Sequence, residues 1–152
     1  MRYLVTLLLP PLLVLGVMPG EALPAPLPEP AGQVMTVRGE AWVHGRAQES
    51  SAHLGQALLP GMLMRTGAGG RIGVIFGDGT RIGLGPHSEF RLDEYRFDPA
   101  RGEFRLAASL TRGTLSLSSG SIGRLDPRGV RLNTPDGQVR VRDAQALLKV
   151  GR

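Results

Sequence analysis

An alternation of apolar and polar residues with a period of two constrains the fold most. It is clearest at Arg71–Phe76, where Ile72 and Val74 alternate with Arg71 and Gly73. Successive side chains of a strand point to opposite faces, so this period indicates half-buried β-strands and not helices. The sequence therefore predicts an all-β protein of short strands. The same apolar pairs recur at Ile82 and Leu84, Phe90 and Leu92, Phe104 and Leu106, Leu115 and Leu117, Val130 and Leu132, and Val139 and Val141.

Turn-forming residues separate these segments at regular intervals. Three very short segments, at 71–76, 80–84 and 88–92, favour a single-domain β-solenoid-like architecture of successive coils. A β-sandwich is the alternative, because Asp78-Gly79 between alternating strands is the preferred signal for a hairpin with a type I′ turn. Residues 144–150 have the composition of a helical turn, but the segment is too short for a stable helix. The other turn signals are Gly85-Pro86, Asp98-Pro99, Arg112-Gly113, Ser119-Gly120 and Pro135-Asp136-Gly137.

The first 22 residues have the pattern of a cleavable signal peptide. A short basic start precedes the apolar residues 4–18, and Gly20 and Ala22 are small residues suitable for cleavage after Ala22. The apolar run is shorter than the roughly 20 residues that cross a bilayer, and Pro10-Pro11 would break a helix. We therefore expect export to the periplasm or secretion, with no stable membrane span after signal removal.

The remaining chain divides into a tether and one domain. Residues 23–31 are rich in proline, which fixes φ and removes backbone donors, so they are expected to form an extended linker. Residues 32–152 then form a single domain, since one core typically serves roughly 100–150 residues. The chain contains no cysteine. Its stability must therefore come from packing and backbone pairing, which suits a protein of the bacterial envelope.

The charge of the protein is positive. The chain has 18 Lys and Arg residues against 13 Asp and Glu, and Lys149 is the only lysine. Cleavage after Ala22 removes Arg2 and Glu21, so the net charge of +5 is unchanged. This balance would suit an anionic partner such as lipopolysaccharide, a cell-wall polymer or a membrane surface, but a solvated arginine-rich surface is the preferred explanation.

Residues of the kinds that carry catalysis occur without a recognised constellation. Asp93, Glu94 and Glu103 are candidates for a polysaccharide hydrolase. However, strand alternation predicts opposite faces for Asp93 and Glu94, and arginines flank both. The single acid of Gly77-Asp78-Gly79-Thr80 indicates a structural turn and not a calcium loop. We expect no catalytic residue, no metal site and no cofactor; His44, His53 and His87 are too scattered for metal binding.

Aromatic and arginine side chains supply the candidate binding residues. Trp42, Tyr95 and Phe97 are candidates for exposed contacts, because tyrosine and tryptophan combine a large apolar area with a polar group and are enriched at interfaces. Arginines interleave with aromatics from residue 90 to residue 105, which would suit a surface that contacts anions. Phe90 and Phe104 are instead expected to fill the core, and no nucleic-acid partner is expected. The arginine candidates are Arg91, Arg96 and Arg105.

Four motifs, in a defined order, carry a resemblance to the FecR domain. They are residues 32–43; Leu58-Leu59-Pro60-Gly61 through Gly77-Asp78-Gly79-Thr80 to Ser88; Leu110-Thr111-Arg112-Gly113; and Leu132-Asn133-Thr134-Pro135 to Arg142. The resemblance covers about residues 32–150. Asp143-Ala144 stands where the family usually has Gly-Thr and an aromatic residue, so the final strand is expected to be altered.

The resemblance implies a binding or signalling module and not an enzyme. The family's regulators resemble a chain with a cytoplasmic anti-sigma segment and a membrane helix, and neither has a counterpart in these 152 residues. We therefore expect a stand-alone exported domain that engages an envelope protein or an anionic polymer. A polysaccharide hydrolase and a self-assembling structural protein remain the alternatives.

Overall fold

The computed structural model describes residues 24–25, 27–141 and 145–151. The predicted signal peptide lies outside these residues. Residues 27–30 of the predicted linker are exposed and have no regular secondary structure. Packed structure begins at the buried Ala31, whose N–H donates to Leu58 O at 2.7 Å and whose carbonyl accepts from Gly77 N at 2.9 Å.

The described residues form twelve strands and one short helix. In chain order these are β1 (Gly32–Arg38), β2 (Ala41–His44), β3 (Glu49–Ser51), β4 (Ala57–Leu58), β5 (Leu63–Thr66), β6 (Arg71–Phe76), β7 (Arg81–Leu84), β8 (Glu89–Asp98), β9 (Glu103–Ser118), α1 (Ser121–Leu125), β10 (Val130–Thr134), β11 (Gly137–Arg140) and β12 (Gln145–Val150).

All twelve strands join in one continuous sheet, in which the long strand β9 belongs to two halves. The first half of β9 lies between β8 and the parallel strand β10, and the second half lies between β7 and β12. We call the order β4-β1-β6-β7-β9-β12 the β6 half-sheet. The order β3-β2-β5-β8-β9-β10-β11 is the β8 half-sheet.

The all-β prediction is confirmed, whereas the solenoid-like arrangement is not. Four pairs of consecutive strands, β2–β3, β6–β7, β8–β9 and β10–β11, form antiparallel hairpins instead of stacking as coils. In the described part of the chain β9–β10 is the one parallel pair. The halves are also not the separate sheets of a sandwich, because β9 runs through both.

The hairpin at Asp78-Gly79 is present, with a different turn from the type I′ that the sequence suggested. Type I′ needs positive φ at two central residues, but Gly79 alone has it here, at 85°. Phe76 N donates to Thr80 O at 2.8 Å and Gly79 N donates to Phe76 O at 3.0 Å. These bonds define a three-residue loop that ends in a left-handed glycine.

One sequence-based boundary was wrong. Arg112-Gly113 was expected to be a turn between two strands, but β9 continues through it and bends at Gly113, where φ is 91°. Ser88 fills the inside of this bend, with its Oγ accepting from Thr114 N at 2.9 Å. Residues 145–150, which resembled a helical turn, instead form β12 along the second half of β9.

A single core lies between the inner faces of the two halves. Phe90, Leu106 and Leu110 of the β8 half-sheet are 0% exposed, and they share one buried cluster with Ile72 and Leu115 of the β6 half-sheet. The apolar residues of the alternating segments form both inner faces. Among the described residues, no helix has the length and apolar character needed to cross a membrane.

Candidate binding surfaces

The three arginines predicted from the sequence lie on the outer face of the β8 half-sheet, and each forms an ion pair. Arg91 Nε is 2.6 Å from Asp93 Oδ1, and Arg96 Nη1 is 2.9 Å from Glu103 Oε2. The hydrogen bond to Glu103 raises the pKa of Arg96. Such exposed pairs contribute little to stability, so their main effect is to neutralise charge. Arg105 pairs with Glu94 at 3.7 Å.

A β-bulge corrects the prediction that Asp93 and Glu94 point to opposite faces. The register between β8 and β9 shifts between Leu92 and Glu94, which inserts Asp93 as an extra residue. Asp93 accepts a hydrogen bond from Ser109 Oγ, and Glu94 contacts Arg105. Ser109 and Arg105 share the outer face of β9, so both carboxylates lie on that face.

The outer faces of β3, β5, β8 and β9, with the β8–β9 hairpin turn, form a charge-balanced surface, whereas Arg131 and Arg140 of β10 and β11 form no ion pair among the described residues. Seven ion pairs there join six arginines to six carboxylates. The candidate hydrolase carboxylates Asp93, Glu94 and Glu103 are therefore all arginine-bound. The arginines are Arg65, Arg91, Arg96, Arg101, Arg105 and Arg112, and the acids are Glu49, Glu89, Asp93, Glu94, Asp98 and Glu103.

Tyr95 and Phe97 turn toward the core side, contrary to the expectation of exposed contacts. The Tyr95 ring stacks on Phe76 with centroids 5.5 Å apart, and Phe97 packs 6.0 Å from Phe104. Both remain half-buried, because they line a shallow cavity of about 330 Å³ with Arg96. The bulge at Asp93 causes this change, since one extra residue exchanges the faces of all later residues in β8.

Trp42 is the one predicted aromatic contact that lies on an outer face. It is half-buried in β2, directly across from Ser51 on one side and Arg65 on the other. It therefore adjoins the charge-balanced surface, on the same face as Arg91 and Arg105.

The Asp78 side chain holds the β6–β7 hairpin against two distant elements. Its Oδ2 accepts from Thr80 Oγ1 at 2.7 Å and from Ile122 N, in the first turn of α1, at 3.1 Å. Its Oδ1 accepts from Thr80 N at 3.3 Å and from the Tyr95 hydroxyl at 3.2 Å. Asp78 N in turn donates to the Tyr95 oxygen at 2.8 Å. Burial and the nearby Asp78 charge raise the pKa of Tyr95.

This network assigns Asp78 a structural role, in agreement with the prediction of a structural turn. Asp78 is 5% exposed and Thr80 is 0% exposed, so their polar atoms face one another and not solvent. Within the described residues, no group of three or more acidic or histidine side chains is placed to hold a metal ion.

A second outer surface, on the β6 half-sheet, was not anticipated from the sequence. One residue from each of five adjacent strands lies in register, forming a row across β1, β6, β7, β9 and β12. Two members are glycines, so the row is a shallow depression, which we call the glycine trough. Its members are Thr36, Gly73, Gly83, Ser116 and Leu147.

Cations flank the glycine trough on both sides. Arg71 stands two residues before Gly73, and Arg81 stands two residues before Gly83; because β6 and β7 are antiparallel, they lie on opposite flanks. Arg38 is directly across from Arg71, and Lys149 is across from Thr114 on the same flank. Neither the four strands β1, β6, β7 and β12 nor residues 113–118 contain Asp or Glu.

The sequence did carry a signal for this surface. Arg-Ile-Gly occurs twice, at residues 71–73 and 81–83, on either side of the turn. An antiparallel hairpin places the two glycines opposite each other and the two arginines at opposite ends. The repeat identifies this surface only once β6 and β7 are paired as an antiparallel hairpin, because stacked solenoid coils would not place the two segments in this register.

Comparison with known proteins gives a match to one protein family. The model of the family described as FecR protein matches residues 62–152, from the start of the β5 region to the end of the chain. The chain belongs to the FecR family. The match includes the Asp78 network and most of the glycine trough, whereas β1 and β2 precede it. No curated protein and no solved structure matches this FecR-family chain.

Proposed function

We propose that this FecR-family protein is an exported, non-enzymatic binding or signalling module of the bacterial envelope. It engages an envelope protein or an anionic envelope polymer through the outer face of the β6 half-sheet. The observation that carries the proposal is a group of cations beside the glycine trough. The six arginines of the charge-balanced surface are matched by carboxylates, whereas in the described residues Arg71 and Arg81, like Arg131 and Arg140 on β10 and β11, form no ion pair.

A non-enzymatic role is supported by the contacts that the acidic side chains make. Asp93, Glu94 and Glu103 are bound to arginines, and Asp78 is buried in hydrogen bonds to backbone and hydroxyl donors. A hydrolase needs one carboxyl group that gives up a proton at working pH. Carboxylates held in ion pairs or in buried hydrogen bonds are not positioned as a free acid and base around a glycosidic bond.

Cell fractionation together with mass measurement of the protein tests export. We expect the protein in the envelope or medium, shortened by cleavage after Ala22. A cytoplasmic protein of full mass would contradict the localisation.

Cross-linking in intact cells tests the binding face. An Arg71→Gln/Arg81→Gln double variant removes two charges beside the glycine trough, and Arg91→Gln/Arg105→Gln removes two from the charge-balanced surface. We expect the first variant to lose its cross-linked partner and the second to retain it. Equal retention by both variants would refute binding through the β6 half-sheet.

Self-assembly is a second candidate function, favoured by one observation. In the described residues β12 pairs only with β9, so its other edge presents open backbone groups next to the exposed Leu147. An open edge is a template for pairing with another chain. Sedimentation should then show a concentration-dependent oligomer that Leu147→Lys reduces, whereas a monomer at all concentrations would exclude it.

A further inference from the structure

We propose that the glycine trough binds one extended strand of an anionic polysaccharide, whose carboxylate or phosphate groups contact Arg71 and Arg81 on opposite flanks. The inference rests on the proposed function, since it names the chemical class of partner for the same surface. It follows from the dimensions, the floor and the charge of the trough.

The dimensions fit a linear polymer. Five strands spaced about 4.8 Å apart give the trough a length of about 19 Å, and same-face neighbours on a strand lie about 7 Å apart. The two flanking rows are therefore about 14 Å from each other. A long, narrow surface of this kind suits a chain laid across the strands better than a compact ligand.

The floor is low because small side chains meet there. A Cβ at Gly73 would collide with Thr36 Oγ1, and one at Gly83 would be 2.8 Å from Ser116 Oγ. Ser116 Oγ lies over Gly83 and donates to its carbonyl at 3.3 Å. Two cavities of about 450 and 580 Å³ lie along the row and share Gly83, Ser116 and Leu147, which makes the depression continuous.

Among the described residues the cations beside the trough form no ion pair, and their charge identifies the sign of the ligand. Arg38 and Arg71 are directly opposed across β1 and β6, an arrangement that destabilises a sheet by like-charge repulsion. Glu40, the nearest acid along the chain, lies against Gly67 instead. An anionic ligand would relieve this repulsion, and guanidinium groups bind carboxylate and phosphate in a bidentate manner.

The side chains of the trough favour a polysaccharide over other polyanions. Single-stranded nucleic acids are held by stacking on aromatic rings, and protein partners by large buried anchors. The trough row and its two flanking rows contain no aromatic residue. They offer hydroxyl, amide and guanidinium groups, and Ile75, Leu147 and the exposed bulge residue Met35 are the large apolar side chains in or beside them. Such groups complement sugar hydroxyls and acidic substituents.

Equilibrium binding of the full protein to labelled polygalacturonate oligomers tests the inference. Each sugar of this probe carries a carboxylate. Dextran of equal length serves as the neutral comparison, and oligothymidylate and phosphatidylglycerol vesicles as other anions. We expect polygalacturonate to bind most tightly, and added salt to weaken its binding, because the contacts are exposed.

Matched variants distinguish binding at the glycine trough from non-specific attraction of the anion to a basic protein. Arg71→Gln/Arg81→Gln is expected to weaken polygalacturonate binding about a hundredfold, from roughly tenfold for each charge-assisted hydrogen bond lost. Arg91→Gln/Arg105→Gln, with the same change in charge, should leave it within about twofold. Gly83→Ser fills the floor without changing charge and should also weaken binding. Gly45→Ser, whose Cβ would be 3.6 Å from Met62 Cε, is its control.

Four outcomes would overturn the inference. Dextran could bind as tightly as polygalacturonate, or oligothymidylate or the vesicles could each bind more tightly than polygalacturonate. The two double-arginine variants could also lose equal affinity for polygalacturonate. If polygalacturonate fails to bind while an envelope protein still cross-links through Arg71 and Arg81, the polysaccharide inference falls and the proposed function stands. If neither polygalacturonate nor any envelope protein depends on Arg71 and Arg81 for binding, both the polysaccharide inference and the proposed function are refuted.

Discussion

Replacing Asp78 with alanine would remove the carboxylate that joins the β6–β7 hairpin to Tyr95 and α1. Three donors in fully buried residues, Thr80 N, Thr80 Oγ1 and Ile122 N, would lose their acceptor. An unsatisfied buried donor costs about 1–3 kcal/mol. Three such donors give an expected fall in the free energy of unfolding of about 3–9 kcal/mol, a large part of the roughly 5–15 kcal/mol that typical domains have.

Urea unfolding followed by fluorescence of Trp42, the single tryptophan, measures this change. Asp78→Asn retains one acceptor oxygen, so its loss should be smaller than that of Asp78→Ala. Asp136→Ala, at an exposed hairpin turn, should change stability by less than about 0.5 kcal/mol. Amide exchange at Ile122 should accelerate in both Asp78 variants. A loss below about 1 kcal/mol in Asp78→Ala, within the net value of an ordinary hydrogen bond, would refute the reasoning.

Three further substitutions test other parts of the fold. Because the pKa of Tyr95 is raised in the folded state, its contribution to stability should be constant below about pH 10 and should fall as pH rises further, where unfolded tyrosine ionises first. Urea midpoints above about pH 10 should therefore show a weaker fall in Tyr95→Phe. Gly113→Ala places a Cβ at positive φ against Ser88, and thermal melts should show it to be more damaging than Gly69→Ala, where a Cβ meets nothing within 4 Å. Phe90→Ala should cost about 3–5 kcal/mol in urea unfolding, and a loss below about 1 kcal/mol would contradict its central place in the core.

Local features of the fold could be predicted from the sequence, because the side chains of a strand alternate between its two faces and the buried positions are apolar. The limits of β6 match the predicted strand at Arg71–Phe76, and the glycines and prolines marked most of the true turns. The solenoid interpretation failed because short strands and tight corners occur in both architectures. Which strands pair depends on contacts far apart in the chain, such as that of Asp78 with Ile122.

The candidate site was harder to predict, since it depends on register. One extra residue at Asp93 reversed the faces of Tyr95 and Phe97, and nothing in their composition marks a bulge. The arginines of β8 were correctly placed on an outer face, but their pairing with acids of the same and the neighbouring strand could not be read from net charge. The glycine trough required knowing that β6, β7 and β9 align Gly73, Gly83 and Ser116.

The shared strand β9 has a consequence for how the protein is made. It comes after eight of the twelve strands, and both half-sheets need it to connect them. A chain emerging from the ribosome therefore cannot join the two halves until residues 103–118 are available. Pairing over such long sequence separations slows folding. The chain would thus remain open long enough to be moved across a membrane in an extended form, and would then close as one cooperative unit.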